Sequence, residues 1–517
     1  MKISAKMRKF FADAAVMTIV SLIMRAIAVS FNSYITGRVG AEGMGLYSLI
    51  TSVYTFAVTF ATSGINLGVT RTVAEAMGRG TPGCVRREMR RAIGYALLFG
   101  CAAFLLTFFG APVLGHLLGD VRTVRPIRAF AVSLPFIALS SCMNGYFCAV
   151  RRIWKNAAAQ LFEQGVKIVA SAILLTALLP AGLEYACLAL VCGGALAETL
   201  SVGFAAVCYF FDPDRRPRGC PEPPGGMRRL CAITLPVAFS AYVRSALVTV
   251  EHMLIPRALR RGGLTQETAL SAYGALQGMA LPVVLFPTAF SATFASLLVP
   301  EAAQRRAAGD DEGVRRLTER AVYGILAFDI CAAGILIAEA YNIADWLYPG
   351  TPAGDYIRAL ACVLPVMLLD TVADGLLKGV GEQVYAMKVN IVDASLSVLC
   401  VALFLPKTGI WGYVGIIIAM EVLNCALSLG RLLHVTGARI SPLRAALPPA
   451  ASIALATPVT AYFSRWLSLP DWAGLCLRIW ADVGLYLLLF FLLRAILSLP
   501  GHRRRAKKPC HRFRGVI

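Results

Sequence analysis

IRAFAVSLPFIALSSCMNGYF (Ile127–Phe147) and IRALACVLPVMLLDTVADGLL (Ile357–Leu377) are two copies of one pattern. Ile127-Arg128-Ala129 recurs as Ile357-Arg358-Ala359, Leu134-Pro135 as Leu364-Pro365 and Gly145 as Gly375, all at a spacing of 230 residues. The repeat extends in both directions. Glu163 recurs as Asp393 at that same spacing, while Arg25 recurs as Arg244 and Arg38 as Arg257 at 219. Tyr47 and Glu75 recur as Tyr273 and Glu301 at 226, and Val85-Arg86-Arg87 and Arg91-Ala92 as Val314-Arg315-Arg316 and Arg320-Ala321 at 229. The spacing drifts upward, as loop insertions would make it drift, and the matches stay in order.

Both copies are built from apolar runs. Of 517 residues, 58% are hydrophobic and 15% charged, whereas a soluble chain carries about 25% charged residues. Runs of roughly 20 apolar residues recur along the whole length, each able to cross about 30 Å of hydrocarbon. The spacing predicts an all-α integral membrane protein of about fourteen transmembrane helices. The first six cover 13–38, 44–69, 92–118, 128–150, 157–179 and 184–211. The next six cover 230–256, 270–298, 319–345, 357–378, 384–405 and 409–434, and two more follow at 445–466 and 472–497. The expected units are an N-lobe (1–211), a Pro/Gly/Arg-rich linker (212–229), a C-lobe (230–436), the last two helices (437–500) and a basic tail (501–517). Six helices is an even number, so the lobes share one orientation. That predicts a pseudo-two-fold axis along the membrane normal, with a substrate site between the lobes near mid-membrane. The apolar stretch from Ala14 to Tyr34 is too long for a cleavable signal core and has no cleavage site after it.

The net charge of +21 does not indicate nucleic acid, because the basic residues lie in short connections between apolar runs. The strong clusters fall on alternate connections, such as Arg86–Arg91, Arg215–Arg229 and Arg305–Arg320. By the positive-inside rule both termini are expected in the cytoplasm of a bacterial cell. Two opposite connections dilute the pattern, one with Arg122, Arg125 and Arg128, the other with Arg257, Arg260 and Arg261. Most of the fifteen cysteines sit inside apolar runs, where cysteine is a small packing residue. Cys84, Cys220 and Cys510 lie in basic segments where thiols stay reduced. No spacing suits zinc, and no motif of an ATPase, hydrolase or calcium loop occurs. The chain is read as a non-enzyme without a cofactor.

Arg25 stands 12 residues past Asp13, about 18 Å into the bilayer at 1.5 Å per residue. Arg244, its repeat mate, lies about 21 Å past Leu230 by the same rise. Burying an arginine at that depth costs about 2.5 kcal/mol or more, so each needs a cavity or a partner. Two readings stand: an anion site holding phosphate with guanidinium forks, or an ion pair locking helices, with Glu251 or Asp13 as partner. Acids also lie at membrane depth: Glu163, Glu198, Glu251, Asp329, Glu339, Asp370, Asp374, Asp393 and Glu421. Asp370 and Asp374 share a helix face, and with Glu251 they are the candidates for coupling to a cation or to the membrane potential. The other reading makes all three structural partners or cavity wall. Pro282 and Pro287 interrupt the eighth helix and Ser63-Gly64 the second. Gly64, Pro282 and Pro287 are therefore candidate gating positions, a static kink being the plain alternative.

NSYITGRVGAEGMGLYSL (Asn32–Leu49), ATSGINLGVTRTVAEA (Ala61–Ala76) and GALQGMALPVVLFPTAFSATFASLLVPE (Gly274–Glu301) resemble the stage V sporulation protein B family of polysaccharide-biosynthesis membrane proteins. That family lies within the multidrug/oligosaccharidyl-lipid/polysaccharide exporter superfamily, which includes the lipid II flippases. The resemblance covers essentially the whole chain. It implies two six-helix lobes around a cavity that opens alternately to each side, with two further helices beside a lipid tail. It also implies cavity arginines that hold a pyrophosphate headgroup, on positions matched by Arg25 and Arg244. The flippases carry another arginine in the second helix, where Val53–Phe60 has none; Arg71 is the nearest substitute. The expected activity is flipping of an undecaprenyl-pyrophosphate-linked sugar across the cytoplasmic membrane. The expected partners are this lipid-linked oligosaccharide, membrane lipids and cell-wall synthesis enzymes, and not nucleic acid. The competing expectations are an ion-coupled multidrug exporter and a non-transporting scaffold for wall synthesis.

Overall fold

A computed structural model describes residues 5–78, 85–212, 226–464 and 471–498. The basic tail, linker residues 213–225, Cys84, Cys220, Cys510 and the side chain of Asp13 lie outside what is described. No strand occurs among the described residues.

The chain opens with α1 (Ala5–Thr62), which Gly40 interrupts with φ 68° and ψ −175°. Ser63-Gly64 separates it from α2 (Ile65–Gly78). α3 (Val85–Leu118) leads through a 3-10 turn, Val121–Thr123, into α4 (Val124–Ala131) and α5 (Leu134–Ala149). α6 (Ile153–Leu178) and α7 (Leu183–Phe210) follow, and α8 (Gly226–Arg261) begins the second copy. α9 (Gln266–Gly274), a π-helical turn over Ala275–Ala280, α10 (Leu281–Val284) and α11 (Thr288–Ala307) form one broken rod. Then come α12 (Asp311–Leu347), α13 (Ala353–Ala361), α14 (Leu364–Gly379) and α15 (Gln383–Thr436), the last interrupted at Gly409. α16 (Pro442–Ser464) and α17 (Asp471–Ser498) close the chain.

Nine of these helices are long and apolar enough to cross a bilayer, or twelve if each of three bent pairs is one span. α1 and α15 have 58 and 54 residues. Straight, each would run about 80–90 Å, nearly three times the hydrocarbon thickness. Broken at Gly40 and Gly409, each has room for two crossings, so the described helices can accommodate the fourteen spans expected. Large apolar side chains such as Leu106, Phe109, Phe239 and Trp480 stand fully outward, the arrangement of a surface solvated by lipid rather than water.

The repeat has a structural counterpart. The fourth and tenth spans, expected as continuous helices, are bent by 47° between α4 and α5 and by 55° between α13 and α14. Each bend comes just before the repeated Leu-Pro, because Pro135 and Pro365 lack the N–H that would continue the preceding helix. The repeated glycine has a matching role. A Cβ on Gly145 would lie 2.7 Å from the Asn66 carbonyl oxygen of α2, and one on Gly375 would lie 3.0 Å from Ala295 Cβ of α11. Each glycine thus lets the broken second or eighth span press against its neighbour.

Polar contacts gather at two ends. On the basic face Arg229 of α8 pairs with Glu75 of α2, and Arg152 and Lys155 share Asp212. Arg431 also pairs with Glu382 there. On the opposite face Arg122 bridges Asp120 at 2.7 Å and Glu42 at 2.9 Å. Gln266 Nε2 of α9 donates to Asp120 Oδ2 at 2.8 Å, and Arg257 donates to the His116 carbonyl. These last two bonds tie the two copies together. The last hairpin docks on α12 through a buried polar seam. Arg478 pairs with Glu339 at 3.3 Å, and the Thr460 hydroxyl bonds Asp482.

Two outcomes are expected. Gly145→Ala and Gly375→Ala should each cost about 1–3 kcal/mol through overpacking. The loss should be larger at Gly145, where the obstacle is a backbone oxygen, and thermal melts of the detergent-solubilised protein read the order. The Asp120 carboxyl, which burial pushes up, is held below its ordinary value of 3.8 by the Arg122 and Gln266 hydrogen bonds that outweigh it. A depressed folded pKa stabilises above the unfolded value and ceases to as pH falls through the folded one. The melting-temperature gap between wild type and Asp120→Asn should therefore hold above pH 3.8 and shrink only in stronger acid.

Candidate functional site

The eighth span decides the geometry around Arg25. Leu285 sits about midway between Gln266 and Ala307, and the span bends there by 53°. Pro287, at the N-cap of α11, has no N–H. The Leu285 carbonyl turns to Thr288, whose N–H reaches it at 3.1 Å and whose Oγ1 reaches it at 2.6 Å. Arg25 Nη1 donates to the same oxygen at 2.9 Å. Arg25 is half-buried. A guanidinium has five N–H donors, and this is the one hydrogen bond of Arg25 among the described residues. No carboxylate pairs with it there.

Arg244 has different surroundings. On α8, Tyr242, Ser245 and Thr249 bond Ser63, Thr59 and Ser52 of the second span. Arg244 feels instead the charges of Asp370 on α14 and of Asp393 and Glu421 on α15. Among the described residues none of these carboxylates approaches within ion-pairing distance, 4 Å. Arg71 is exposed midway along α2 and bonds Glu75 at 3.1 Å, the carboxylate that also takes Arg229. It belongs to the ionic tie at the basic face.

The acids divide by their partners. Glu251 accepts from Ser397 at 2.8 Å and from Tyr413 at 3.3 Å, and His252 beside it bonds the Tyr273 hydroxyl. Asp374 accepts from Asn390 at 3.2 Å and from Ser428 at 3.4 Å. Asp370 Oδ1 and both oxygens of Asp329 are buried without a protein partner. Glu163 faces Ser201 and Lys167, and the Tyr54 hydroxyl donates to Glu198 at 3.4 Å. Each copy therefore encloses acids with one cation among them, Lys167 in the first and Arg244 in the second. No group of three metal-ligating side chains occurs among the described residues.

The candidate gating residues stand at breaks. Gly64 has φ 69° beside Ser63 at φ 44°, a conformation that strains a non-glycine residue. Ser63 is held there by the hydroxyls of Tyr95 and Tyr242. Pro282 follows the π-helical turn and Pro287 the bend. An apolar groove of about 650 Å³ lies elsewhere, between α6 and α7, lined by residues such as Phe162, Gly165, Val169 and Leu196. Sequence reasoning missed Asn32, whose Nδ2 approaches the Gly278 carbonyl at 3.4 Å, and the Arg478 and Asp482 pair on α17. The pair has a legible signal, two opposite charges four residues apart within an apolar run.

Known proteins share this architecture. A lipid II flippase, MurJ, in an inward closed conformation superposes with a TM-score of 0.70 at 13% identity, over 93% of this chain and 99% of that one. An inward-facing multidrug resistance MATE family transporter of the MOP superfamily gives 0.64 at 13% identity, over 81% and 98%. These likenesses establish the fold, that of a two-lobe transporter. Stage V sporulation protein B of Bacillus subtilis (strain 168) is 23% identical over 362 residues, 68% of this chain and 69% of the relative. Lipid II flippase MurJ of the same organism is 24% identical over 170 residues, 31% of each chain. The family described as polysaccharide biosynthesis protein matches residues 10–300. That match spans more than half of the sequence, and the chain belongs to the polysaccharide biosynthesis protein family.

Proposed function

We propose that the protein is an alternating-access flippase for a lipid-linked sugar carried on undecaprenyl pyrophosphate, acting in the bacterial cytoplasmic membrane with both termini in the cytoplasm. The observation that carries this reading is Arg25: a guanidinium at mid-membrane, half-buried between the two copies, with one donor on a neutral carbonyl and, among the described residues, no acid neutralising it. A permanent cation left unpaired at that depth is costly, and a diphosphate headgroup would supply the missing charge with short, charge-assisted hydrogen bonds. Arg244 adds a second cation on the repeat-mated helix, and Arg71 a third at the basic mouth. The lobes are taken as 1–211 and 230–436, and α16 and α17 flank the lipid tail. The relatives named for lipid II flipping and sporulation support transport of a wall precursor; wall-synthesis enzymes are the partners such a role calls for.

A second reading has one observation in its favour. Asp370, Asp393 and Glu421 lie around Arg244, and the MATE transporter shares the fold. An ion-coupled drug exporter would use such acids. The strong basic signal at Arg25 favours the flippase.

The test is headgroup flipping in vesicles reconstituted with the purified full chain. Arg25→Ala combined with Arg244→Ala should lower the rate by more than tenfold, about 1.4 kcal/mol or more of lost stabilisation. Unchanged flipping would remove the arginine site. Drug hypersensitivity of a deletion strain with an intact wall would favour the exporter. For coupling, Asp370→Asn should abolish any dependence of flipping on an imposed ion gradient. Glu251→Gln should preserve it, because Glu251 is already engaged by two hydroxyl donors.

A further inference from the structure

The first and eighth spans are stitched together in register. Arg25 meets the Leu285 carbonyl and Asn32 meets that of Gly278, so seven residues separate the contacts on either helix, as two antiparallel helices require. Both acceptors lie where the eighth span lacks the regular donor four residues on. Pro282 lacks the N–H that would serve Gly278, four residues earlier. At the bend, the Leu285 oxygen would meet the Ala289 N–H if the helix were continuous, but takes Thr288 and Arg25 instead.

We propose that the bend at Leu285–Pro287 positions Arg25, so that the grip on an anionic diphosphate is set by the shape of the eighth span. This rests on the reading of Arg25 as a headgroup ligand. One Nη1 hydrogen is anchored on the carbonyl, and the guanidinium edge formed by Nε and Nη2, without an acceptor among the described residues, can present two parallel donors to a phosphate. Straightening the span would hand the Leu285 oxygen to Ala289, release Arg25 from its anchor and disperse the fork over its rotamers. Anion affinity therefore differs between the bent and straight states, and by linkage a bound anion stabilises the bend. The oxygen has the two Thr288 donors in the bent state and the Ala289 N–H in the straight one, so the exchange strands no buried acceptor. Pro287 and Thr288 are positioning residues in this scheme. Asn32 holds the register one π-turn away.

Inorganic pyrophosphate and the full chain in detergent test it. Calorimetry should show Pro287→Ala, which restores the N–H, weakening pyrophosphate binding about tenfold, the scale of a strong coupling between neighbouring groups. Pro282→Ala, which acts at the Asn32 contact, should stay within about twofold, as an uncoupled site would. Hydrogen–deuterium exchange on the wild type gives a readout that needs no proline variant. Saturating pyrophosphate should slow exchange of residues 286–289, and Arg25→Ala should abolish that slowing. If pyrophosphate binds through Arg25 yet exchange at 286–289 does not respond, or responds equally in Arg25→Ala, positioning by the bend is overturned while the headgroup reading survives. If the wild type does not bind pyrophosphate, or Arg25→Ala binds it equally well, the headgroup reading falls and the positioning role with it.

Discussion

A carbonyl without a donor costs several kcal/mol in hydrocarbon, because no water can serve it. The eighth span interrupts its own hydrogen-bond ladder twice, at the π-helical turn and at the bend. Where the regular donor is missing its oxygens take others, the N–H and hydroxyl of Thr288 within the span and Asn32 and Arg25 on the first span. This arrangement orders the centre of the molecule. It fixes the register of two helices from different copies and brings a cation to mid-membrane. Among the described residues it also leaves most of that cation's donors without an acceptor. The regular spans around it, closed by apolar contacts and by glycines such as Gly145 and Gly375, act as the frame that holds the irregular one in place.

The arrangement of charge follows from the same scarcity of water. Carboxylates that meet hydroxyls or amides, such as Glu251 and Asp374, are fixed parts of the helix packing. Asp329 and one oxygen of Asp370 are not so served. Ionic pairs concentrate at the two faces, where solvent offsets their desolvation. There the copies are tied together, by the ion pair of Arg229 with Glu75 on one side and by the hydrogen bond from Gln266 to Asp120 on the other. Under the proposed alternating access one set of such ties breaks while the other holds, and surface pairs are individually weak enough to allow it.

Much of this was legible in the sequence. Apolar periods gave the spans. The recurrence of Ile-Arg-Ala, Leu-Pro and glycine gave the repeat, and depth counting singled out Arg25. Pro282 and Pro287 marked an irregular helix before its shape was known. What was not legible is what depends on partners distant in sequence. A backbone carbonyl has no sequence signature, so nothing in the residues around Leu285 announced it as the acceptor for Arg25, 260 positions away. The surroundings of Arg244 depend on how α14 and α15 pack, and repeat symmetry alone suggested a twin of Arg25 where the structure has acidic neighbours. The bends at Leu134 and Leu364 were missed because a proline one residue into a helix reads equally well as an ordinary helix start.

The seam that holds α17 to α12 bears on how the chain enters the membrane. Arg478 and Asp482 lie within the last span, and each charge at a span's centre costs about 2.5–3.5 kcal/mol on insertion scales. Leaving the translocon alone, that segment would be a reluctant membrane helix. Glu339 and Thr460 change the balance, since the ion pair and hydroxyl bond await it on segments already synthesised. The final span is thus a client of the earlier ones during biogenesis. Its hydrophobicity brings it to the bilayer, and its polar residues select the one neighbour beside which it can remain.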